Sequence, residues 1–283
     1  MKVKELTGWL EEYFPAGAAE EWDNVGLLTG DDEKEVKHVF LALDLTEDTL
    51  KEAIAAGADM ILTHHPMIFS GIKKINNHSF TGRKILSLVQ HGISYYAMHT
   101  NYDILGMADL SARYLELSDT RILTVTGEKD GEKIGLGRVG NLPGQMSLRE
   151  YALLVKKNLK LQDVKVYGNL EQQVKSAAVC TGSGKSLMKD VLASGADVYV
   201  TGDIDHHTGI DAVAEGLCII DAGHYGTEYI FMEDMRERLK KAFPELRFTC
   251  ARVKSPYTIL YFETCLNADK HPPLQVCGAL SGE

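Results

Sequence analysis

The sequence predicts an α/β layered protein built from a duplicated unit, with a small α+β lobe inserted between the halves. Three observations lead there. Short β-rich apolar runs alternate with helical patterns along the 283 residues. Their continuous apolar character suits strands covered on both faces. Finally, the chain echoes itself. AIAAGADMILTHH (53–65) matches VLASGADVYVTGD (191–203) as helix end, Gly, Ala-Asp, apolar run and Thr. HGISYYAMHTNYD (91–103) is echoed by EGLCIIDAGHYGTE (215–228): a Gly, an apolar run, then His and polar groups.

In chain order, MKVKELTGWLEEYFP (1–15) carries an amphipathic helical pattern. Strands are expected at 36–45, 58–65 and 92–100 in the first half. In the second they are expected at 174–182, 196–203, 217–224 and 246–253. TEDTLKEAIAAG (46–57) reads as a helix with Thr46 as N-cap and Gly57 as its stop. TEYIFMEDMRERLKKAF (227–243) places Phe231, Met235, Leu239 and Phe243 at helical spacing. Residues 129–171 read strand, helix, strand with Gly and Pro punctuation, which gives the inserted lobe. The expected division is therefore 1–128 and 172–260 as two related halves, 129–171 as the lobe, and 261–283 as a tail. That tail is irregular from Leu266 onward, with two prolines.

Composition narrows the function classes. A formal net charge of -10 and the absence of a basic stripe argue against a nucleic-acid partner. The first residues lack the apolar core and cleavage site of a signal peptide, and no apolar run approaches a spanning length. Five widely spaced cysteines (Cys180, Cys218, Cys250, Cys265, Cys277) without a C-x-x-C pair fit a reduced cytoplasmic protein.

The chemistry gathers at strand ends. Six of the ten histidines (His64, His65, His99, His206, His207, His224) lie at or just beyond predicted strands. The other four (His38, His78, His91, His271) are expected at the surface. Carboxylates accompany the first group: Asp103, Asp203 and Glu228. Imidazole with carboxylate suits Zn²⁺, Mn²⁺, Fe²⁺ or Ni²⁺. With more than four donors, two ions bridged by a carboxylate become possible. Adjacent residues on an extended chain point apart, so His64 and His65 could serve two centres. If YGTEYIF opens a helix, His224 precedes it and Glu228 lies in its first turn, both facing one point. A duplicated unit would bring these strand ends together across a pseudo-twofold cleft.

CTGSGKS (180–186) resembles a phosphate-binding loop, but position 179, where its first glycine belongs, is Val. The preferred reading is a Gly-rich turn whose Ser183 or Ser186 caps a following helix. The weaker one keeps free backbone amides for a substrate anion.

At these residues the chain resembles the NIF-three-like family, widely labelled GTP cyclohydrolase I type 2. The markers are EWDNVGLLTG (21–30), LALDLT (41–46), ILTHHPMIF (61–69), MHTNYD (98–103), TGSGKS (181–186), TGDIDHH (201–207) and DAGHYGTE (221–228). The resemblance covers about residues 3 to 260 and implies intertwined mixed sheets flanked by helices. It implies two divalent ions held by His64, His65, Asp103, His224 and Glu228, with Glu228 as the bridge. His99 and His207 would stand near the ions as proton-transfer or substrate-facing groups, and Trp22-Asp23-Asn24 would fix a loop at the cleft rim. A toroidal homohexamer is also implied. The chain departs from the family in having Asp205 and His206 where a basic residue and an aromatic are usual. Its short insert matches the compact members.

Two functions remain open on this reading. One is a dinuclear metal-dependent hydrolase whose activated water attacks a purine nucleotide or related small molecule; the family label would make the target C8 of GTP, releasing formate. The acidity of the chain is a tension for an anionic substrate, which the ions and the Gly182–Lys185 turn would have to offset. The other is a non-catalytic metal-binding or regulatory interaction protein, favoured by ions with no open position.

Overall fold

The structure, a computed structural model, describes residues 1–252 and 256–260. The chain divides into two compact units, Met1–Val253 and Lys254–Glu283. Within the second, only residues 256–260 are described, without regular structure. The expected tail, with Cys265, His271 and Cys277, lies outside the described residues.

The first half begins with α1 (Val3–Tyr13), whose Val3, Leu6 and Leu10 form a buried stripe, and β1 (Gly26–Thr29). The five residues of β2 (His38–Ala42) are all buried. Helix α2 (Glu47–Ala55) starts at Thr46, whose hydroxyl accepts from the Thr49 N–H at 3.1 Å. It stops before Gly57, at φ 68°, where a side chain would be strained. Then come β3 (Met60–Thr63), α3 (Phe80–His91), capped by Ser79, and β4 (Ser94–Ala97). A short α4 (Thr100–Tyr102) widens into a π-helical turn, Asp103–Met107, before α5 (Ala108–Tyr114). Such turns add one residue per turn and re-aim side chains, here at Asp103.

A long hairpin, β5 (Ser118–Lys129) and β6 (Glu132–Ser147), links the halves. After it come α6 (Leu148–Asn158), opened by a Ser147–Glu150 capping box, and β7 (Lys165–Tyr167). The strands of the 129–171 segment take their places in the second sheet. That half continues with β8 (Gln173–Ser183), a 3-10 turn (Gly184–Leu187), α7 (Met188–Ser194), β9 (Val198–Gly202) and α8 (His206–Ala214). It ends with β10 (Cys218–Asp221), α9 (His224–Glu228), α10 (Ile230–Ala242) and β11 (Arg247–Cys250). On α10, Phe231, Met235 and Leu239 are fully buried, as their spacing requires.

Two mixed sheets result, ordered β1-β4-β3-β2-β11 and β5-β6-β8-β9-β10-β7. In each, three consecutive strands run parallel (β2, β3, β4; β8, β9, β10), and an antiparallel strand closes the edge beside the third. The duplication extends to single hydrogen bonds. Asp59 Oδ2 accepts from the N–H groups of Lys37 and His38 at 2.9 and 3.1 Å. Its echo Asp197 does the same for Lys175 and Ser176 at 2.9 and 3.0 Å. The halves are interlocked, because β11 returns from the second half to pair with β2.

Three local expectations are corrected. His38 is buried rather than superficial: as the first residue of β2 its ring lies against Gly57 O, Thr249 and Arg247. Neither Ser183 nor Ser186 caps α7, because the chain first tightens into the 3-10 turn. His224 begins α9 instead of preceding a helix. Among the described residues no helix is long and apolar enough to cross a membrane, and Cys180, Cys218 and Cys250 are free thiols.

Candidate metal centre

The carboxyl ends of β3, β4 and β10 meet between the two sheets. His64 and His65 leave β3 in a turn locked from below by buried Tyr95. The Tyr95 hydroxyl donates to His65 O at 3.0 Å and accepts from the Met67 N–H at 2.8 Å. Burial pushes the Tyr95 phenol up to about 12, so it stays a neutral clamp. The strand has ended, and the two rings diverge, with centroids 5.0 Å apart and planes at 45°.

Each imidazole is fixed through its Nδ1. His64 Nδ1 lies 2.9 Å from Met98 O, which can only accept. That nitrogen therefore carries a hydrogen, and in the neutral ring Nε2 is left to present its lone pair to the centre. Carboxylates do the same elsewhere: Asp44 for His65 at 2.9 Å, Asp203 for His224 at 2.7 Å and Asp23 for His99 at 2.9 Å. Outer partners of this kind orient metal-binding histidines and set their tautomer.

The free faces converge. Among the described residues, three sets of donor atoms each lie within 4.8 Å of one another: His64/Asp103/Glu228, His65/His224/Glu228 and His64/His65/His99. His64 Nε2 stands 3.4 Å from Asp103 Oδ1 and 3.8 Å from Glu228 Oε1. Glu228 Oε2 stands 3.0 Å from His65 Nε2 and 3.1 Å from His224 Nε2, and those two nitrogens are 3.3 Å apart. Tetrahedral donors about 2.1 Å from a cation lie about 3.4 Å from each other, which matches this spacing. Glu228 belongs to both carboxylate-containing sets and gives one oxygen to each.

Three buried atoms here lack a hydrogen-bond partner: His64 Nε2, Asp103 Oδ1 and Glu228 Oε2. Glu228 Oε2 is close to two imidazoles but in hydrogen-bond geometry with neither. Buried polar atoms normally find partners, and orphans in both carboxylate-containing donor sets, His64 Nε2 and Asp103 Oδ1 in one and Glu228 Oε2 in the other, fit cations. The charge state agrees. Burial raises the Glu228 carboxyl, yet His224, His64 and His65 together hold it well below the usual range. Burial opposes the charged form of His64, but Asp103 and Glu228 raise its pKa well above the ordinary value. The adjacent Glu228 carboxylate, 3.1 Å away, lifts His224 to about 9 against the opposing effect of burial. The cage demands positive charge, which protons supply when ions do not.

Local sequence explains the geometry. His224 and Glu228 are four apart on α9 and so share a face. The TGSGKS turn closes over them: the Gly182 N–H donates to Thr227 Oγ1 at 2.9 Å. Gly182 has φ 64°, and a Cβ there would collide with Glu228 Oε1, so only glycine fits. The Gly184 N–H donates to Thr201 Oγ1 at 3.0 Å. Both amides are thus spent inside the protein, which counts against the anion-cradle reading of this loop. Lys185 pairs with Asp205 at 2.5 Å, and Asp205 also caps α8 through the Thr208 N–H. His206 and His207 are exposed on the first turn of α8, with rings 5.3 Å apart, outside the three donor sets.

Two participants escaped the sequence. Asp44 ends the apolar run 38–43 much as His64 ends its own, but its pairing with His65 was not visible. Asp23 is more than a rim residue: its buried carboxylate holds His99 and accepts from the Thr100 N–H at 3.0 Å and hydroxyl at 2.5 Å. Those bonds keep it well below the carboxylate range although burial opposes ionisation.

Known proteins resemble this chain in sequence and fold. The profile of the Duf34/NIF3 (NGG1p interacting factor 3) family matches residues 1–257. A "GTP cyclohydrolase 1 type 2 homolog" of Clostridium acetobutylicum is 34% identical over 248 residues, covering 87% of this chain and 92% of that protein. The solved structure of Staphylococcus aureus hypothetical protein SA1388 superposes with a TM-score of 0.83 at 30% identity, covering 92% of this chain and 99% of that one. Reduced HcgD from Methanocaldococcus jannaschii gives 0.76 at 33% identity, covering 88% and 97%.

Proposed function

The chain belongs to the Duf34/NIF3 family, and from that membership and the converging donors we propose a dinuclear metal-dependent hydrolase acting on a purine nucleotide or related small molecule. The three orphaned buried atoms, His64 Nε2, Asp103 Oδ1 and Glu228 Oε2, carry this reading. His64, Asp103 and Glu228 would hold one ion, and His65, His224 and Glu228 the other. The donor set suits Zn²⁺, Fe²⁺, Mn²⁺ or Ni²⁺. A bound pair of cations would acidify water towards neutrality and polarise the substrate. The chain itself supplies orientation and proton handling. Of the two histidines expected to move protons, His99 is the better placed, because Asp23 fixes its ring beside His64 and His65. His207 would act only on a substrate reaching the first turn of α8.

The second reading, a non-catalytic metal-binding or regulatory protein, draws on the His64/His65/His99 set. If His99 ligates an ion, that centre closes. Metal-replete protein is to be incubated with GTP and a panel of nucleotides, peptides and phosphoesters, beside His64→Ala and Glu228→Ala. Formate release from GTP that disappears in both variants supports the hydrolase and its label. Turnover of nothing in the panel favours the second reading. We propose also, from the family resemblance, a toroidal homohexamer in a reducing cytoplasm; light scattering that finds a monomer would remove the former.

A further inference from the structure

Beside the cage lies a feature that metal binding does not use. Trp22 is 57% exposed and Phe69 52%, both large for aromatic side chains in this chain. Their rings stack, with centroids 5.7 Å apart and planes at 29°. Both meet the edge of His99, at 5.9 and 6.3 Å. The pair therefore continues directly into the metal centre.

The backbone around Trp22 is held firmly. The Glu20 N–H donates to Thr100 Oγ1 at 2.9 Å, Asp23 clamps His99 and Thr100, and the Asn24 amide donates to Ile68 O at 2.6 Å. That last bond joins the Trp22 and Phe69 loops. Rigid neighbours thus present an indole to solvent, and its Nε1–H has no partner among the described residues. A surface aromatic with a free polar edge, preorganised beside a reaction centre, is a recognition element for a flat ring.

We propose that Trp22 and Phe69 form a stacking platform that binds the planar heteroaromatic ring of the substrate and delivers it beside His99 and the cage. This rests on the hydrolase reading and adds to it the two residues that would recognise the ring of such a substrate. A second copy of the chain is the poorer occupant. These two half-exposed rings have on the order of 150–300 Å² left to bury, short of the roughly 800 Å² per partner of a stable dimer.

The chain has two tryptophans, which makes the test direct. Trp9 packs on Tyr13 and Phe243 at 4.6 and 5.9 Å and serves as an internal reference. Protein carrying 5-fluorotryptophan is titrated with guanosine 5′-monophosphate and with ribose 5-phosphate, metal-loaded and metal-depleted, and followed by fluorine NMR and calorimetry. The nucleotide is expected to move the Trp22 resonance and leave that of Trp9. Trp22→Ala should weaken nucleotide binding by about 5- to 150-fold and leave ribose 5-phosphate unaffected, whereas Trp22→Phe, which keeps a ring, retains most of the affinity. Equal binding of both probes to wild type and Trp22→Ala overturns the platform. So does a Trp22 resonance that follows protein concentration instead of nucleotide, which would make the surface a self-contact. The two readings fail separately. A Trp22-dependent nucleotide site without turnover of any substrate keeps the platform and removes the hydrolase. Turnover with unchanged Trp22→Ala affinity does the reverse.

Discussion

Because Glu228 gives one oxygen to each of two donor sets, single substitutions should change metal content in whole steps. Asp103 touches only the His64 set and His224 only the His65 set. Wild type should bind two divalent ions, Asp103→Asn one, His224→Ala one and Glu228→Gln none. Stability follows by mass action. At a free ion concentration a hundred times Kd, each occupied centre stabilises the folded state by about 2.7 kcal/mol. For a domain of roughly 250 residues, 1 kcal/mol moves Tm by about 2 °C. Metal should therefore raise Tm by about 11 °C in wild type, about 5 °C in each single-centre variant, and not measurably in Glu228→Gln. Elemental analysis after gel filtration gives the first series and differential scanning fluorimetry the second. A Glu228→Gln protein that keeps one full equivalent would show that the carboxylate is not shared, and the dinuclear geometry would have to be abandoned.

Three further outcomes follow from the same contacts. His224 titrates near 9 in the ion-free folded chain against about 6.5 unfolded, so the stability it contributes is complete below pH 6.5 and lost as pH rises through 9. Ions compete with those protons; the gap in Tm between metal-loaded and ion-free protein should therefore widen from pH 6.5 to 9, and a constant gap would contradict the assignment. Asp203→Asn keeps the shape of a residue at φ 58°, where Asn is tolerated, but loses the carboxylate on His224 Nδ1. Cation affinity at the His65/His224/Glu228 centre should fall about 10- to 100-fold by calorimetry without loss of folding. Gly182→Ala forces a Cβ onto Glu228 at φ 64°, so urea unfolding should report a loss of at least about 1–2 kcal/mol. Elemental analysis of that variant should show depletion of both centres, and two retained equivalents would refute the close approach.

The seven apolar runs of the sequence are all strands; in β2, β3, β4, β9 and β10 every residue is buried, and burial on both faces writes a strand as an uninterrupted apolar stretch. What lacked that signature was not legible. Strand β5 is largely exposed and polar, and it is held by its pairing with β6, not by burial. Strand β1 opens on a glycine and is only half-buried along its other three residues, so it lacks the signature too. At the site, the strand-end histidines could be read, since a His ending an apolar run is out of place in a core, although the same sign marked His206 and His207, which lie outside the three donor sets. Their anchors could not. Asp44 lies 21 residues from His65 and Asp23 lies 76 from His99. Separations of that length are set by strand order, which no local pattern encodes.

The echo also explains why a duplicated scaffold makes one cage and not two. In register, His64 and His65 correspond to Gly202 and Asp203, while His224 and Glu228 correspond to Thr100 and Ile104. Each of these donors in one half corresponds to a residue outside the donor sets in the other. Gly202 shows the physical reason: a Cβ there would press on the His224 backbone, in space the second half needs for its own donor. Asp203, at the position equivalent to His65, holds the His224 ring instead of supplying a ligand itself. The first half thus brings two imidazoles and Asp103, and the second brings His224, its anchor and Glu228. Neither half alone contains three donors to one ion that include the bridge. The return of β11 to β2 joins the sheet that carries His64 and His65 to the half that carries His224 and Glu228.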